Sequence, residues 1–265
     1  MHGLSNDFII FYNEEKILHD EKFVRKISNR KTGIGCDLVA FVDDSESKFS
    51  NLEVKFFNSD GSKANTCGNA LRCIGKNYFD INKVQNLVVD TDSGLIDIQD
   101  YGNGNISVDM GKPKFDCESI PMLSQTGQNE AKINLSYLKG GIGLSVGNPH
   151  LIFFVDKIDK KLLEKNSQEI CKLNIFPDGV NISAVKIIDK TLIKVLTHER
   201  GVGITDACGS GACASFAVGN LLNYVQKKVC VEMKGGNLNI ELSKDKHIIM
   251  IGKAKRVFEG TFMLS

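Results

Sequence analysis

This sequence has no excess of either charge, and it has no long apolar run. Its 265 residues contain 33 Lys and Arg against 32 Asp and Glu. No run of like charges occurs, so the sequence favours neither a nucleic acid nor an anionic membrane as partner, and we expect a small molecule instead. No window approaches the roughly 18 consecutive apolar residues of a membrane-spanning helix, and residues 1–7 lack the basic-then-apolar order of a signal peptide. We therefore expect a soluble, cytoplasmic protein.

Closely paired cysteines are also missing, although the chain has eight cysteines. In a chain of this length without an export signal, the thiols are expected to be reduced rather than joined in disulfides. No C-x-x-C pair occurs, and Cys67/Cys73 and Cys208/Cys213 lack flanking histidines and the usual ligand spacing, so no metal site is expected. Most cysteines, including Cys73, Cys213 and Cys230, are predicted to be small apolar core residues.

Two short segments at matching places repeat each other. They are residues 66–70, TCGNA, and residues 207–211, ACGSG, and each opens a stretch with the pattern of an apolar helix. Their cysteines, Cys67 and Cys208, are 141 residues apart, and further residues align at the same offset. A cysteine at the start of two helices, once per half, indicates one site with two thiols.

The repeat predicts a duplicated domain whose two halves face each other. The N-terminal half, which carries Cys67, comprises residues 1–111 and 254–265. The C-terminal half, which carries Cys208, comprises residues 112–253. A chain of 265 residues is long enough for each half to bury its own core.

Strand signals dominate both halves. β-branched or aromatic runs bounded by polar turns predict strands at residues 8–12, 38–42, 52–57, 151–155 and 191–196. A final strand is predicted at residues 255–264, where the chain returns to a different partner.

Helices are few. Apolar runs after the two cysteines predict helices at residues 68–78 and 209–224, and the second, apolar on all sides, is expected to be buried. Surface helices are predicted near residues 21–29 and 160–171. Each half is thus predicted to be an α+β structure in which an antiparallel sheet wraps around a central helix.

The two helix-start cysteines suggest acid–base chemistry. The first backbone N–H groups of a helix lack intrahelical partners, and the macrodipole adds about half a positive charge there. Such a position binds anions and lowers the pKa of a thiol below its free value of roughly 8.5. Cys67 and Cys208 are therefore predicted to be acid–base groups beside a bound carboxylate. The amides expected to hold that carboxylate are those of Gly68, Asn69, Gly209 and Ser210.

Inversion at an α-carbon needs this arrangement. A thiolate removes the proton from one face, and a thiol on the other face returns one. As the Cα–H bond breaks, negative charge spreads into the carboxylate, where preorganised amides stabilise it. The working enzyme must carry one thiolate and one thiol, so the two titrations are coupled. His150 and Glu199 are the candidates for biasing them.

Seven motifs together resemble the diaminopimelate epimerase family over essentially the whole chain. They are residues 1–8 (MHGLSNDF), 33–37 (GIGCD), 57–62 (FNSDGS), 67–69 (CGN), 147–150 (GNPH), 199–201 (ERG) and 207–211 (ACGSG). The resemblance implies an isomerase that needs no pyridoxal phosphate or other cofactor and has two pseudosymmetric halves. It implies Cys67 and Cys208 as the acid–base pair, with His150 and Glu199 setting the thiol pKa values. Further contacts to the amino-acid substrate are implied for Asn6, Asn58, Asn148, Asn181 and Arg200.

The chain departs from the family pattern near the expected substrate. Leu38 follows the 33–37 motif where the family usually has a glutamine, and Ala70 replaces a glycine. Ser5 and the residues 203–205 (GIT) also differ from the usual pattern. A site that hydrogen-bonds a polar group discriminates far more strongly than one that only packs against it, so these changes bear on substrate identity.

Three functional hypotheses follow. The first is epimerisation of diaminopimelate from the L,L to the meso form, and the second is racemisation of another amino acid, such as histidine, on the same fold. The third is a thiol redox or ligand-binding module without turnover. The sequence leaves assembly as a homodimer open.

Overall fold

The computed structural model describes residues 1–12, 20–123, 129–173 and 175–262. It divides into two compact units, Met1–Val108 with Gly252–Ser265, and Asp109–Ile251. Among the described residues, each unit contains β-strands and two α-helices, so the predicted α+β class is confirmed.

The first unit begins with a strand pair and carries two helices between its later strands. Its elements are β1 (His2–Gly3), β2 (Asn6–Tyr12), α1 (Glu21–Ser28), β3 (Leu38–Asp44), β4 (Leu52–Asn58), β5 (Lys63–Ala64), α2 (Gly68–Asn82), β6 (Asn86–Thr91), β7 (Gly94–Gly102) and β8 (Asn105–Asp109). Its strands pair in the order β1, β2, β3, β4, β6, β7, β8, with β5 also on β4.

The second unit repeats this plan. Its elements are β9 (Glu130–Asn134), β10 (Lys139–Ser145), β11 (Pro149–Phe154), α3 (Lys160–Cys171), β12 (Asn181–Ile187), β13 (Leu192–Glu199), β14 (Gly203–Ile204), α4 (Gly209–Leu221), β15 (Lys228–Met233), β16 (Gly236–Leu242) and β17 (Ile248–Lys253). Its strands pair in the order β9, β10, β11, β12, β13, β15, β16, β17, with β14 also on β13.

The two strand orders correspond from β1 in the first unit and β10 in the second, and β9 has no counterpart among the described strands of the first unit. β2 and β3 are parallel, as are β11 and β12, and these pairs begin with equivalent partners: Phe8 with Leu38, and His150 with Asn181. Leu38 therefore occupies, in the first unit, the position that Asn181 occupies in the second.

Strand direction differs from the prediction in one respect. Two pairs in each unit are parallel, β2/β3 and β4/β6 in the first, and β11/β12 and β13/β15 in the second. A helix lies between the two members of each pair in the sequence, and a parallel pair requires such a crossover connection. The sheets are thus mixed rather than antiparallel throughout.

The predicted central helix of each unit is present. α4 contacts six strands of the second unit, and its residues Gly211–Gly219 are all buried, so the prediction of a buried helix is confirmed. It ends at Leu221, three residues earlier than predicted, because Asn223 adopts a left-handed conformation (φ 59°). α2 is longer than predicted and ends before Lys83, which is also left-handed.

The final predicted strand is wrong. The last strand is β17, and Lys255 forms only an isolated bridge with His2. Residues 256–262 have no strand partner in the described structure, and the rest of the predicted strand lies outside the described residues. Val257 and Phe258 suggested a strand, but both side chains are largely exposed and bury too little apolar surface to favour one.

Candidate active site

Cys67 directly precedes α2 and holds an extended conformation (φ −146°, ψ 105°). Its half-buried thiol makes no capping hydrogen bond to the helix. The first intrahelical bond runs from the Leu71 amide to the Cys67 carbonyl oxygen, at 2.9 Å. The amides of Gly68 and Asn69 consequently have no acceptor within α2, which leaves them able to bind an anion.

Cys208 occupies the same place before α4 but is almost fully buried, at 4% exposure. Its Sγ accepts a hydrogen bond from the Gly211 amide at 3.3 Å and lies 3.5 Å from Ser210 Oγ. A Cβ at position 211 would lie 2.6 Å from Thr197 Oγ1, so only glycine allows α4 to start this close to β13. The amides of Gly209 and Ser210 have no acceptor within the helix.

The protonation state of Cys208 differs from the prediction for a helix-start thiol. Burial, followed by the negative charge of Glu199, raises its pKa well above the ordinary value. Hydrogen bonds from Ser210 and Gly211 lower the pKa but do not outweigh these two effects. Cys208 is therefore a neutral thiol near neutral pH, because desolvation destabilises the thiolate more than the helix terminus stabilises it.

Glu199 lies at the end of β13 and interacts with Cys208 through its side chain. The hydroxyl of Thr205 donates a hydrogen bond to Glu199 Oε1. Glu199 pairs with Gly203 in the β13/β14 hairpin, which returns Thr205 alongside the carboxylate. The hydroxyl and the hairpin therefore fix the Glu199 carboxylate beside the thiol.

His150 and Asn148 lie near the start of α4. His150 Nε2 is 2.9 Å from Asn148 Oδ1, and Asn148 Nδ2 donates to Ser210 Oγ at 3.3 Å. His150 is fully buried, and burial together with the charge of Arg200 lowers its pKa to about 3. The imidazole is neutral at physiological pH.

The buried His150 should make stability depend on pH. Its pKa is lower in the folded state, about 3, than its ordinary 6.5, so the unfolded chain binds more protons between these values. The contribution of the neutral His150 to the free energy of unfolding is fully present above pH 6.5. It is lost as the pH falls below that value, by about 1.4 kcal/mol per pH unit. Urea unfolding of wild type and His150→Gln from pH 4 to pH 7 should give curves that converge at low pH. Parallel curves would contradict the buried, neutral imidazole.

Asn181 and Arg200 are joined to each other. Asn181 is buried; its Oδ1 accepts from the Arg200 amide at 3.0 Å, and its Nδ2 donates to the Pro149 carbonyl at 2.9 Å. The exposed Arg200 side chain passes over Gly179, where a Cβ would lie 2.8 Å from its Cδ. Arg200 Nη1 donates to the Asp178 carbonyl at 2.7 Å. The 178–179 turn therefore holds the guanidinium.

The first unit places Asn6 and Asn69 in contact. Asn69 Nδ2 donates to Asn6 Oδ1 at 3.3 Å, and Asn6 Nδ2 donates to Asp37 Oδ2 at 2.9 Å. Asn58 is exposed at the end of β4, bonded to Ser62 Oγ at 3.0 Å. These contacts order the carboxamide of Asn6 next to the start of α2.

The two predicted specificity positions are buried. Leu38 is 6% exposed and pairs with Asn58 across β3 and β4, and Ala70 is fully buried in the first turn of α2. Of the predicted core cysteines, Cys73 and Cys213 are fully buried, whereas Cys230 is only partly buried.

Within the second unit, one connected group brings together most of the predicted residues. It links Cys208, Glu199, Ser210, Asn148 and His150. Sequence reasoning missed Thr205, Asp37 and Arg30, which hold predicted site residues in place. The 33–37 motif contains Asp37, so this motif was the sequence signal that could have identified Asp37.

Metal and membrane features were also sought among the described residues. They contain no group of three or more His, Cys, Asp or Glu side chains arranged to hold a metal ion. None of the helices in this part of the chain combines the length and hydropathy that a bilayer crossing requires.

Comparison with known proteins identifies the family. The family model described as diaminopimelate epimerase matches residues 1–115 and 143–257. Diaminopimelate epimerase of Bacillus pumilus is 35% identical, covering 100% of this chain and 97% of the relative. The same enzyme of Methanococcus maripaludis is 37% identical, covering 98% and 97%. A solved hydroxyproline epimerase from Agrobacterium vitis shares the fold, with a TM-score of 0.67, 12% identity, and coverage of 95% of this chain and 87% of that one.

The sequence relatives and the fold define an isomerase of the epimerase type. More closely, the chain belongs to the diaminopimelate epimerase family, and the resemblance inferred from its motifs is confirmed. The redox or ligand-binding module is accordingly the less supported hypothesis.

Proposed function

We propose that this chain epimerises diaminopimelate at one α-carbon, from the L,L to the meso form, through a two-thiol mechanism without a cofactor. The observation that carries the proposal is the repeated helix start, in which a cysteine is followed by two amides that have no acceptor within the helix in both units. The names and near full-length similarity of the sequence relatives support diaminopimelate over histidine.

The proton balance follows from the state of Cys208. Since the pKa of Cys208 is raised by burial beside Glu199, the proposal gives Cys208 the role of acid and Cys67 the role of base in this direction of the reaction. Cys67 removes the α-proton from one face of the carbon, and Cys208 donates its own proton to the opposite face. The step ends with Cys67 as thiol and Cys208 as thiolate. After the product leaves, Cys67 loses its proton to solvent and Cys208 takes one from solvent, which restores the starting form.

The helix-start amides stabilise the charge that develops during this step. In the proposal the amides of Gly68, Asn69, Gly209 and Ser210 bind the α-carboxylate, whose negative charge grows as the Cα–H bond breaks. The neutral His150 contributes no positive charge of its own. It orders Asn148, and through Asn148 the hydroxyl of Ser210 beside the Cys208 thiol.

The far end of the substrate carries a second carboxylate. Arg200, held on the 178–179 turn, supplies the guanidinium that suits a carboxylate, and Asn58 supplies an exposed amide. Asn181, whose carboxamide is bonded to backbone on both sides, then supports Arg200 and Pro149.

An amino-acid panel in heavy water tests the proposal. Purified enzyme is incubated with L,L-diaminopimelate, lanthionine or histidine, and deuterium at the α-carbon is followed together with the stereochemistry of the product. We expect diaminopimelate to exchange and invert fastest, with no need for pyridoxal phosphate or added metal. Faster turnover of histidine would identify histidine, rather than diaminopimelate, as the substrate. The absence of α-proton exchange with every amino acid would contradict the proposed reaction itself.

Three further statements stay predictions. They are the cytoplasmic location, assembly as a homodimer and the absence of a cofactor. Size measurement in solution at several protein concentrations tests the second, and dialysis against a chelator before the heavy-water assay tests the third for metals.

A further inference from the structure

We propose that Asp37 is a positioning residue that fixes the orientation of the Asn6 carboxamide and, through it, of Asn69, leaving Asn69 Oδ1 to accept a hydrogen bond from the substrate. The proposal rests on the proposed function, because it assumes that substrate binds at the start of α2. It also gives a role to the 33–37 motif, which the acid–base chemistry leaves unexplained.

The motif holds Asp37 against the end of α1. A Cβ at Gly33 would lie 2.3 Å from the Lys26 carbonyl oxygen, closer than any side chain allows. Gly35 has a φ of 86°, and its amide bonds to the Ile27 carbonyl at 2.9 Å. Glycine at positions 33 and 35 therefore lets the chain pass this close to the helix before entering β3.

Arg30 then fixes the Asp37 carboxylate. Its Nη2 donates to Asp37 Oδ1 at 2.7 Å, and both its Nη atoms donate to the carboxylate of Asp7, at 2.7 and 2.8 Å. Each aspartate also accepts the other's backbone amide, at 3.0 and 3.2 Å. These groups are partly exposed, so the ion pairs add little stability, but five bonds restrict where Asp37 Oδ2 lies.

The carboxylate decides which way Asn6 points. An ionised carboxylate only accepts hydrogen bonds, so Asn6 must present Nδ2 to Asp37, as it does at 2.9 Å. Its Oδ1 then faces Asn69 and accepts from Asn69 Nδ2 at 3.3 Å. The amide of Asn69 is oriented in turn, and its own Oδ1 lies on the other side.

That last oxygen is buried and accepts no hydrogen bond from any described residue. Asn69 itself is 3% exposed and is the second residue of α2, two positions after Cys67. A buried acceptor without a donor is costly, so an ordered donor from a bound molecule satisfies it. An ammonium group of an amino acid is such a donor.

The second unit shows the opposite orientation at the equivalent place. Asn148 occupies the position of Asn6, but there Nδ2, rather than Oδ1, faces the helix-start residue Ser210. Its neighbour is the neutral His150, not a carboxylate. The two units thus present opposite ends of equivalent asparagines to the helix start, and only in the first unit is the neighbour a group that can solely accept.

Asp37→Asn in the full chain tests the proposal, with Asp7→Asn as its matched control. Both variants remove one carboxylate from Arg30, but only Asp37→Asn gives Asn6 a partner that donates as well as accepts. We expect Asp37→Asn to raise KM about tenfold with a smaller change in kcat. Asp7→Asn should change KM by less than about threefold. Equal effects of the two variants would reduce Asp37 to an ordinary ion-pair residue and overturn the proposal.

A double-mutant cycle with Asn6→Ala separates positioning from general damage. If Asp37 acts through Asn6, Asp37→Asn should have no further effect on KM in the Asn6→Ala background. Additive effects would overturn the proposal. The cycle uses whichever amino acid of the panel wild type turns over, so a different substrate would revise the proposed function without affecting this result.

The same cycle on urea unfolding without substrate is independent of activity. The unfolding midpoints of the four proteins should be non-additive, because the Asp37–Asn6 bond is lost only once. Additive midpoints would overturn the contact itself, whereas wild type inactive on every amino acid would overturn the proposed function alone.

Discussion

Replacing either Cys67 or Cys208 by alanine is expected to lower inversion on the order of 10³-fold or more, because each face of the α-carbon needs its own proton carrier. The two variants should differ in stability. Cys67 does not cap α2, so Cys67→Ala loses no capping bond and should cost less stability than Cys208→Ala. Cys208 accepts the Gly211 amide, so Cys208→Ala should also cost about 1 kcal/mol. Chiral product analysis and urea unfolding measure the two effects.

Cys171→Ala is the matched control, since Cys171 is an exposed thiol at the end of α3. It should retain wild-type activity and stability. Serine at either active cysteine should allow slow α-deuterium exchange without full inversion, because the remaining thiol still serves one face. Full inversion by a single alanine variant would rule out the two-thiol mechanism.

Arg200→Ala is expected to lower kcat/KM for diaminopimelate by the equivalent of about 2–5 kcal/mol, the cost of removing one member of a charge pair. The guanidinium is held by the Asp178 carbonyl and packs over Gly179, so it is already positioned for a carboxylate. Arg200→Lys keeps the charge but loses the planar fork, and should recover only part of the loss. Steady-state kinetics of the three proteins give the values.

Comparing substrates shows whether this loss comes from a second carboxylate. For an amino acid with one carboxylate, such as histidine, Arg200→Ala should have a much smaller effect. Equal losses for both substrates would mean that Arg200 supports the site generally and does not bind the distant carboxylate.

The duplicated fold could be predicted because local sequence patterns indicate most of its strands and both of its central helices. β-branched runs marked the strands, and the repeat at Cys67 and Cys208 marked both central helices at their first residue. The parallel pairs were missed because strand direction depends on the path between strands, which alternating patterns do not reveal. The strand at 255–264 was wrongly predicted for a related reason, since apolar residues form a strand only where a partner strand is available.

The candidate site was predictable in its residues and less so in its electrostatics. A helix start alone indicates a lowered thiol pKa, but burial and Glu199 reverse the direction for Cys208. Burial of that sulfur depends on α4 packing against Thr197, a contact between residues far apart in the sequence. The same holds for Asp37, whose bond to Asn6 spans 31 residues. Such contacts follow from tertiary packing, and the spacing of residues in the sequence does not predict them.

The equivalence of Leu38 and Asn181 has an evolutionary consequence. A single ancestral position now exists twice, as an apolar side chain at the start of β3 and as an amide at the start of β12. The copy at Asn181 is tied to the backbone of Pro149 and Arg200, so mutation there disturbs its surroundings. The copy at Leu38 makes no side-chain hydrogen bond, so an apolar replacement of similar size would disturb only the local packing. Duplication has thus left one ancestral position in two environments, one held by hydrogen bonds to the backbone and the other by apolar packing alone.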